Sequence, residues 1–452
     1  MKRIVSLLMC LSMLMALMAG LTAAQAEEAI TLHLWSGVQP EYGYQEMVDT
    51  YNELMKDKGI QFEYTRYVNN ADGNLQLDTY LSAGGMVDVF IGYGGTGRLI
   101  PRVDSGVLLD MTDYLAAAGF DPVAELGEAS VAQYVYKDRY WAVPTKYENQ
   151  LYWFANVQMF EEAGIPLPLN GWTYAEYLDA VEKLTHGEGI DKVYGMYWNV
   201  VTMGDTTRNF MTAYNKPYGN YVDETCTATA FDQPEFIAAL ELIDKTMENG
   251  WAPSLEEEVA DNLSLPTMYL EGKAAMTPAI SQIRIIKDLE TYPHDFTTAI
   301  IPAPVIEEAD LAKYGKHDIY NGAGDLICVS SKTAYPQECM DFVLWYIMGG
   351  MAPLAKGGRI PLWKGFDPDA IVEAMTYGAE GVFDVDSIIA YMDVEKTRAA
   401  YALNMPNYAQ SEIGTLFIEA YESVLYGQTD AETALKQLKT EADQLIQNAM
   451  AK

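Results

Sequence analysis

The chain has 452 residues, 50% of them hydrophobic, with 64 Asp and Glu against 29 Lys and Arg, a formal net charge of −35. So negative a molecule repels phosphate backbones and anionic lipid surfaces, so neither a nucleic acid nor a membrane surface is expected as a partner. At about 150 residues per domain the length allows two or three domains, each able to bury a core.

The first residues have the pattern of a secretory signal. Lys2 and Arg3 supply the positive start, Ile4 to Leu21 an apolar stretch interrupted by Ser6, Ser12 and Gly20, and Ala24-Gln25-Ala26 a small-x-small cleavage site. That stretch reads as a signal in the segment 1–26 rather than a permanent span. Cleavage after Ala26 leaves 452 − 26 = 426 residues and, without Lys2 and Arg3, a charge of −35 − 2 = −37. A lipoprotein signal needs a cysteine right after the cleavage point, whereas Cys10 lies within the apolar stretch. The expectation is an exported protein, extracellular or in the cell envelope, periplasmic where there is an outer membrane, and either released or retained without a lipid. Cys226, Cys328 and Cys339 remain after cleavage, too few for a disulfide scaffold. They read as buried free thiols, Cys328 on a strand and Cys339 on a helix, with one bridge as the alternative.

Short apolar runs alternate with amphipathic ones from residue 30 onward, the pattern of α/β domains with largely parallel sheets. Ile30 to Trp35 alternates as a strand. Tyr44, Met47, Val48, Tyr51 and Leu54 recur at helical spacing, Ile60 to Arg66 alternates again, and Val87 to Ile91 is a compact run suited to a buried strand. A second region opens near Pro144, with a strand at Leu151 to Ala155. In the helix that follows, Thr173 and Glu176 form a capping box, Trp172 staples onto Tyr177, and Tyr174, Tyr177, Leu178, Val181 and Leu184 make the buried stripe. Asp232 with Glu235, and Thr429 with Glu432, suggest two further capping boxes, and Gly250 is placed to end the first of these helices. Phe296 to Ile301, before Pro302 and Pro304, reads as a strand crossing between domains, and Leu326 to Ser330 as a further strand of the first.

Several segments carry a resemblance in a fixed order. They are Ile30-Thr31-Leu32-His33-Leu34-Trp35-Ser36, Leu81 to Phe90, Ser105-Gly106-Val107-Leu108-Leu109-Asp110-Met111-Thr112-Asp113, Tyr140-Trp141-Ala142-Val143-Pro144, then Asn156, Phe160 and Gly164-Ile165, and finally Gly272-Lys273-Ala274-Ala275-Met276-Thr277. In this order the chain resembles the extracellular solute-binding proteins, family 1, that serve ABC importers of sugars and are similar to maltose-binding protein. Val87 stands where the family usually has proline, and Ala155 where tyrosine is common.

The resemblance implies a periplasmic-binding-protein-like α/β fold of two lobes with interleaved crossings. The expected N-lobe is 27–145 plus 300–350, and the C-lobe 146–299 plus 351–452. It also implies a binder without catalysis or cofactor, capturing an oligosaccharide by lobe closure and handing it to permease subunits of the importer, with the chain itself a monomer.

Ligands of open α/β sheets sit beyond the carboxyl ends of strands. A carbohydrate offers apolar C–H faces and a rim of hydroxyls, which call for aromatic platforms and for Asp, Glu, Asn, Arg or Lys partners, and the chain has 32 Tyr and 8 Trp. The candidates by position are Trp35 and Ser36 after the first strand, Tyr93 after the third, and Tyr147, Glu148 and Asn149 at the first crossing. Trp198, Asn199, Arg284, Asp325, Arg359 and Trp363 complete the set. Core packing is the competing reading for any single aromatic.

Gly92-Tyr93-Gly94-Gly95-Thr96-Gly97 satisfies G-x-G-x-x-G after a strand. Pro101 is expected to interrupt the helix that a dinucleotide loop needs, and Asp110 and Asp113 come too early for a ribose partner. His33, His186, His294 and His317 are too dispersed for a zinc motif. A secreted glycoside hydrolase is the rival reading, since 64 acidic residues could hide a carboxylate pair, and peptide, polyamine or iron would suit the same fold.

Overall fold

The computed structural model describes residues 29–451 apart from 133, 149–151, 202–206, 208–209, 212–217, 279–281, 307–321 and 393–407. The signal segment 1–26 and Asn149 therefore lie outside the described residues.

The opening is β-α-β. Strand β1 (Ile30–Ser36) pairs in parallel with β2 (Ile60–Arg66) through seven residues, from Ile30↔Ile60 to Ser36↔Arg66. Helix α1 (Tyr44–Met55) connects them and buries Tyr44, Met47, Val48, Tyr51 and Met55. Leu54 is 62% exposed, because the buried stripe turns onto Met55 in the last turn. Strand β3 (Val89–Gly92) pairs in parallel with β1 on its other side. The hairpin of β4 (Val135–Tyr136) and β5 (Arg139–Tyr140) stands apart, and β6 (Val143–Glu148) closes the far edge of the sheet.

A second sheet is built on β7 (Tyr152–Asn156), flanked antiparallel by β8 (Met276–Thr277) and β9 (Thr298–Pro302). Strand β10 (Gly322–Val329) returns to the first sheet, antiparallel to both β3 and β6, giving the order β2-β1-β3-β10-β6. The segment Tyr194 to Trp198 extends the second sheet: Tyr194 bridges Ala274 in parallel, and the Tyr197 amide donates to the Met276 carbonyl at 2.9 Å.

There are two main cores: the first covers the five-stranded sheet and also takes Tyr152, Phe154 and Ile300 from one face of the second sheet, whose other face packs the second core. In the first, Phe62 stacks on Phe342 with ring centroids 4.2 Å apart and Tyr51 meets Phe342 edge-on at 4.9 Å. Ile360, Leu362, Ile371 and Met375, late in the chain, also pack into this core. In the second, Trp153 meets Trp198 at 5.3 Å and Tyr177 at 5.5 Å, both edge-on.

Local signals in the sequence read well where a single turn decides them. Thr173 and Glu176 form their capping box at the start of Tyr174–Leu184, and Trp172 packs on Tyr177 at 5.5 Å. Leu178 on that helix is only partly buried. Two expected boxes are absent. The helix Pro234–Glu248 starts at a Gln233 cap with Pro234 in its first turn, because the proline fixes the helical φ one step later than Asp232 requires. The last long helix, Ala431–Met450, is capped by Asp430, whose carboxylate accepts from the Thr433 amide at 2.8 Å in place of Thr429. Gly250, at φ +65°, follows the Asn249 cap and lets the chain turn away.

Pro101 does not interrupt its helix, which runs from Gly95 to Asp104. Gly97, four residues earlier, carries no side chain and can tilt its carbonyl away from the proline ring. What sets the glycine loop apart from a dinucleotide site is Tyr93, whose hydroxyl is tied back to Ser36 and to the Gly37 amide.

Cys226, Cys328 and Cys339 are buried free thiols, Cys328 on β10 and Cys339 on the helix Pro336–Trp345. Burial pushes the thiols of Cys328 and Cys339 up to about 12 and that of Cys226 up to about 11. In a chain starting at residue 27, a disulfide-exchange reagent at neutral pH should therefore leave all three untouched until denaturant is added. Rapid labelling of a native thiol would contradict this burial.

Candidate functional site

The strand directions bring one edge of each sheet to the same place. In the first sheet β1, β3 and β6 run parallel, so Ser36, Gly92 and Glu148 end on one edge, and β10, running the other way, begins there with Gly322 to Asp325. Glu148 and Tyr152 are four residues apart, so at about 3.6 Å per residue β7 must start within about 14 Å of that edge. The N-terminal end of β7 thus faces the first sheet, and its antiparallel neighbours present their carboxyl ends on the same side: Thr277 of β8, Pro302 of β9 and, beyond Trp198, Asn199. The two edges form the walls of a cleft.

On the first wall an ion pair is buried at the sheet edge. Asp325, 5% exposed, accepts from Arg359 Nε at 2.8 Å, and Lys146 Nζ stands 4.0 Å from its other oxygen. Asp325 has φ +49°, an uncommon conformation for a side-chain-bearing residue. Its carbonyl is fixed by the Thr145 hydroxyl at 2.7 Å. The 359–363 segment docks against the same strand, since the Leu362 amide donates to the Thr145 carbonyl at 2.8 Å and Pro361 bridges Lys146.

Tyr44, Tyr93 and Tyr346 surround this pair electrostatically. Burial pushes the Tyr44 and Tyr93 hydroxyls well above the ordinary tyrosine range, so both stay neutral donors at physiological pH. For Arg359 burial acts against the charge, but Asp325 and the tyrosines outweigh it and the guanidinium stays protonated. Ser36 Oγ lies 2.9 Å from the Tyr93 hydroxyl, which also accepts from the Gly37 amide at 3.1 Å. Trp35 is 4% exposed and packs on Tyr80 at 5.1 Å, while its buried Nε1 has no hydrogen-bond partner among the described residues. Trp363 remains partly exposed and donates its indole N–H to Glu125 at 2.8 Å.

On the second wall the sequence candidates separate. Trp198 is 1% exposed, enclosed by Trp153, Tyr177 and Phe210, and donates to Thr246 Oγ1 at 2.7 Å, so it belongs to the second core. Asn199, the next residue, stands at the cleft edge. Arg284 is exposed on a short helix whose Ile283 and Ile286 pack into the first core, and its guanidinium lies over Tyr42 of that same core, 6.0 Å from the ring centroid, so it does not belong to the second wall. The backbones of Tyr147 and Glu148 pair with Ala323 and Gly322, at the end of β6.

Buried polar atoms without a partner among the described residues recur around the cleft: Trp35 Nε1, Asn199 Nδ2, Thr277 Oγ1 and Gln282 Oε1. Such atoms cost about 1–3 kcal/mol each when left unmade, and that cost is tolerated where a ligand or water completes them. Among the described residues no cluster of three His, Cys, Asp or Glu could hold a metal ion.

Residues 46–375 match the family model described as bacterial extracellular solute-binding protein. The chain belongs to that family. No curated protein matches the sequence significantly. Solved structures show the fold. A sugar transporter from Rhizobium etli in an open conformation superposes with a TM-score of 0.71 at 18% identity, over 92% of this chain and 99% of its own. An ABC substrate-binding protein from Listeria monocytogenes, in complex with cycloalternan, gives 0.66 at 18% identity over 92% and 99%. The GacH receptor of Streptomyces glaucescens, solved unliganded and with acarbose, gives 0.62 at 15% over 93% and 99%.

As a solute-binding protein, the molecule is a two-walled α/β cleft. Of its cleft residues, Lys146, Tyr42, Tyr44, Tyr346, Thr277 and Gln282 were not singled out in the sequence. Tyr44 was legible only as part of a buried helical stripe. Lys146 carried a positional signal, lying two residues past Pro144 at the start of the crossing, and Thr277 ends the Gly272–Thr277 segment of the resemblance, but no spacing marks Tyr42, Tyr346 or Gln282.

Proposed function

We propose that this protein is the solute-capturing component of an ABC importer, exported by its 1–26 signal, binding a carbohydrate between its lobes and presenting the closed form to permease subunits. It acts without catalysis, as a monomer. The proposed lobes are an N-lobe built on 27–145 plus 300–350 and a C-lobe on 146–299 plus 351–452, with two departures from those bounds: Thr298–Pro302 belongs to the second sheet, and Ile360, Leu362, Ile371 and Met375 pack into the first core.

The observation that carries the reading is that unspent buried polar atoms stand on both walls, Trp35 Nε1 on the first and Asn199 Nδ2 and Thr277 Oγ1 on the second, with the partly exposed rings of Tyr42 and Trp363 beside the first. Hydroxyl-rich ligands with apolar ring faces satisfy both sets at once. The neighbours that bind cycloalternan and acarbose favour carbohydrate over peptide, polyamine or iron. Closure follows as a population shift, because only a ligand touching both walls binds the closed arrangement better than the open one. A micromolar dissociation constant needs about 8 kcal/mol, within reach of a few stacked rings and paired hydroxyls.

A thermal-shift screen of residues 27–452 against mono- and oligosaccharides, amino acids, peptides, polyamines and iron tests this. At about 100 times its Kd a ligand adds about 2.7 kcal/mol to stability, a readable rise in melting temperature. A saturable shift with an intact glycan is the expected result. Silence across sugars beside a shift from another class would overturn the substrate, and released sugar from a glycan would favour the hydrolase.

A further inference from the structure

Glu258 lies in the second lobe on the short helix Leu255–Ala260, is 1% exposed, and has no ion-pair partner among the described residues. An unpaired buried carboxylate is costly unless hydrogen bonds hold it. Here they do. Oε1 accepts from the Val201 amide at 2.7 Å, the Val200 amide also donates to the carboxylate, and the Tyr197 hydroxyl approaches to 3.5 Å. Those amides begin the helical turn that follows Asn199. Burial pushes the Glu258 carboxyl up from its ordinary value, opposed by these same donors.

Asn199 follows Trp198, at the carboxyl end of the segment that extends the second sheet. It is fully buried, holds φ +55° in the left-handed region, and its Oδ1 accepts from the Tyr197 hydroxyl at 3.2 Å. Its Nδ2 has no partner among the described residues. The side chain is therefore anchored through its oxygen, with two N–H donors unspent, at the carboxyl end of a segment that points to the opposite wall. A buried donor and an uncommon backbone conformation at one residue mark a place where the fold holds a group for something outside itself.

We propose that Glu258 is a positioning residue: with Tyr197 it fixes the turn after Asn199 so that the Asn199 amide donates to an acceptor oxygen of the ligand. The proposal rests on the cleft being the solute site and names the contact that the second lobe makes there. Glu258 itself touches no ligand. It acts by holding the 199–201 backbone, and an acceptor oxygen of a sugar, whether hydroxyl, ring or glycosidic, completes the amide.

The experiment is a pair of double-mutant cycles in residues 27–452: Glu258→Ala and Tyr197→Phe, each alone and combined with Asn199→Ala. Affinity for cycloalternan and for maltotetraose is read by calorimetry, and stability without ligand by urea unfolding. Asn199→Ala and Glu258→Ala should each weaken binding about tenfold or more, and Tyr197→Phe by a few-fold. In the Asn199→Ala background neither second change should weaken binding further, because the group they position is gone. Glu258→Gln, which keeps an acceptor for the Val201 amide, should recover most of the affinity. Effects that multiply across either cycle would overturn the proposal, as would full affinity in Tyr197→Phe and Glu258→Ala. If Glu258→Ala does not fold, the Tyr197→Phe cycle decides alone. If neither glycan binds the unaltered protein, the carbohydrate reading fails separately, and the positioning claim is decided by urea unfolding, where additive Tyr197→Phe and Asn199→Ala effects would overturn it.

Discussion

Asp325→Ala is expected to lower the unfolding free energy by about 3–5 kcal/mol, because it strands the Arg359 guanidinium in a protein interior. The arginine side chain is only 17% exposed and has Asp325 as its bonded carboxylate at 2.8 Å. Lys146, at 4.0 Å, is a second cation near the same carboxylate, so the substitution also removes a negative charge from beside it. Burial holds Tyr44 and Tyr93 neutral, so neither can replace the lost charge. Replacing both partners, as in Asp325→Leu with Arg359→Met, should recover much of the loss, since removing a whole buried pair is far cheaper than removing half of one. Urea unfolding of the two single variants and the double variant measures this. A single variant as stable as the parent would show that water reaches the pair. Ligand affinity should be lost in all three, which separates the stabilising role of the pair from its place on the cleft wall.

Trp198→Ala should act on stability and not selectively on affinity, costing about 3–5 kcal/mol as a large-to-small change in a closed core. The sequence alone left Trp198 open between a cleft platform and a core residue. In the structure the indole meets Trp153, Tyr177 and Phe210 with ring centroids 5.3 to 6.2 Å away, and its N–H is spent on Thr246. Trp363→Ala is the informative contrast. Its ring is partly exposed and tied to the fold through one bond to Glu125, so it should change stability much less. Guanidinium unfolding of the two variants decides it, and equal losses would contradict the burial difference.

The elements themselves were largely legible. Alternation placed β1 and β2 to within a residue, because a half-buried strand writes its two faces into the sequence with period two. The capping box at Thr173 was legible because all its partners lie within four residues. The boxes expected at Asp232 and Thr429 failed for the same local reason, as Pro234 and Asp430 each offered the chain a better start nearby. Leu54 was misread because helical periodicity does not say in which turn the neighbouring sheet ends.

By itself, then, the sequence determined the alternation of strands and helices and the family through its ordered segments, and it offered Ser36 and Tyr93 as candidates at strand ends. Each of these depends on periodicity or on chain direction, which are local properties. Only the tertiary structure decided that Trp198 is enclosed in the second core, that Asp325 meets Arg359, and that Glu258 reaches the amides after Asn199. Partners 34 or 57 positions apart, as in Arg359 with Asp325 and Val201 with Glu258, leave no mark on spacing, because the fold and not the chain brings them together.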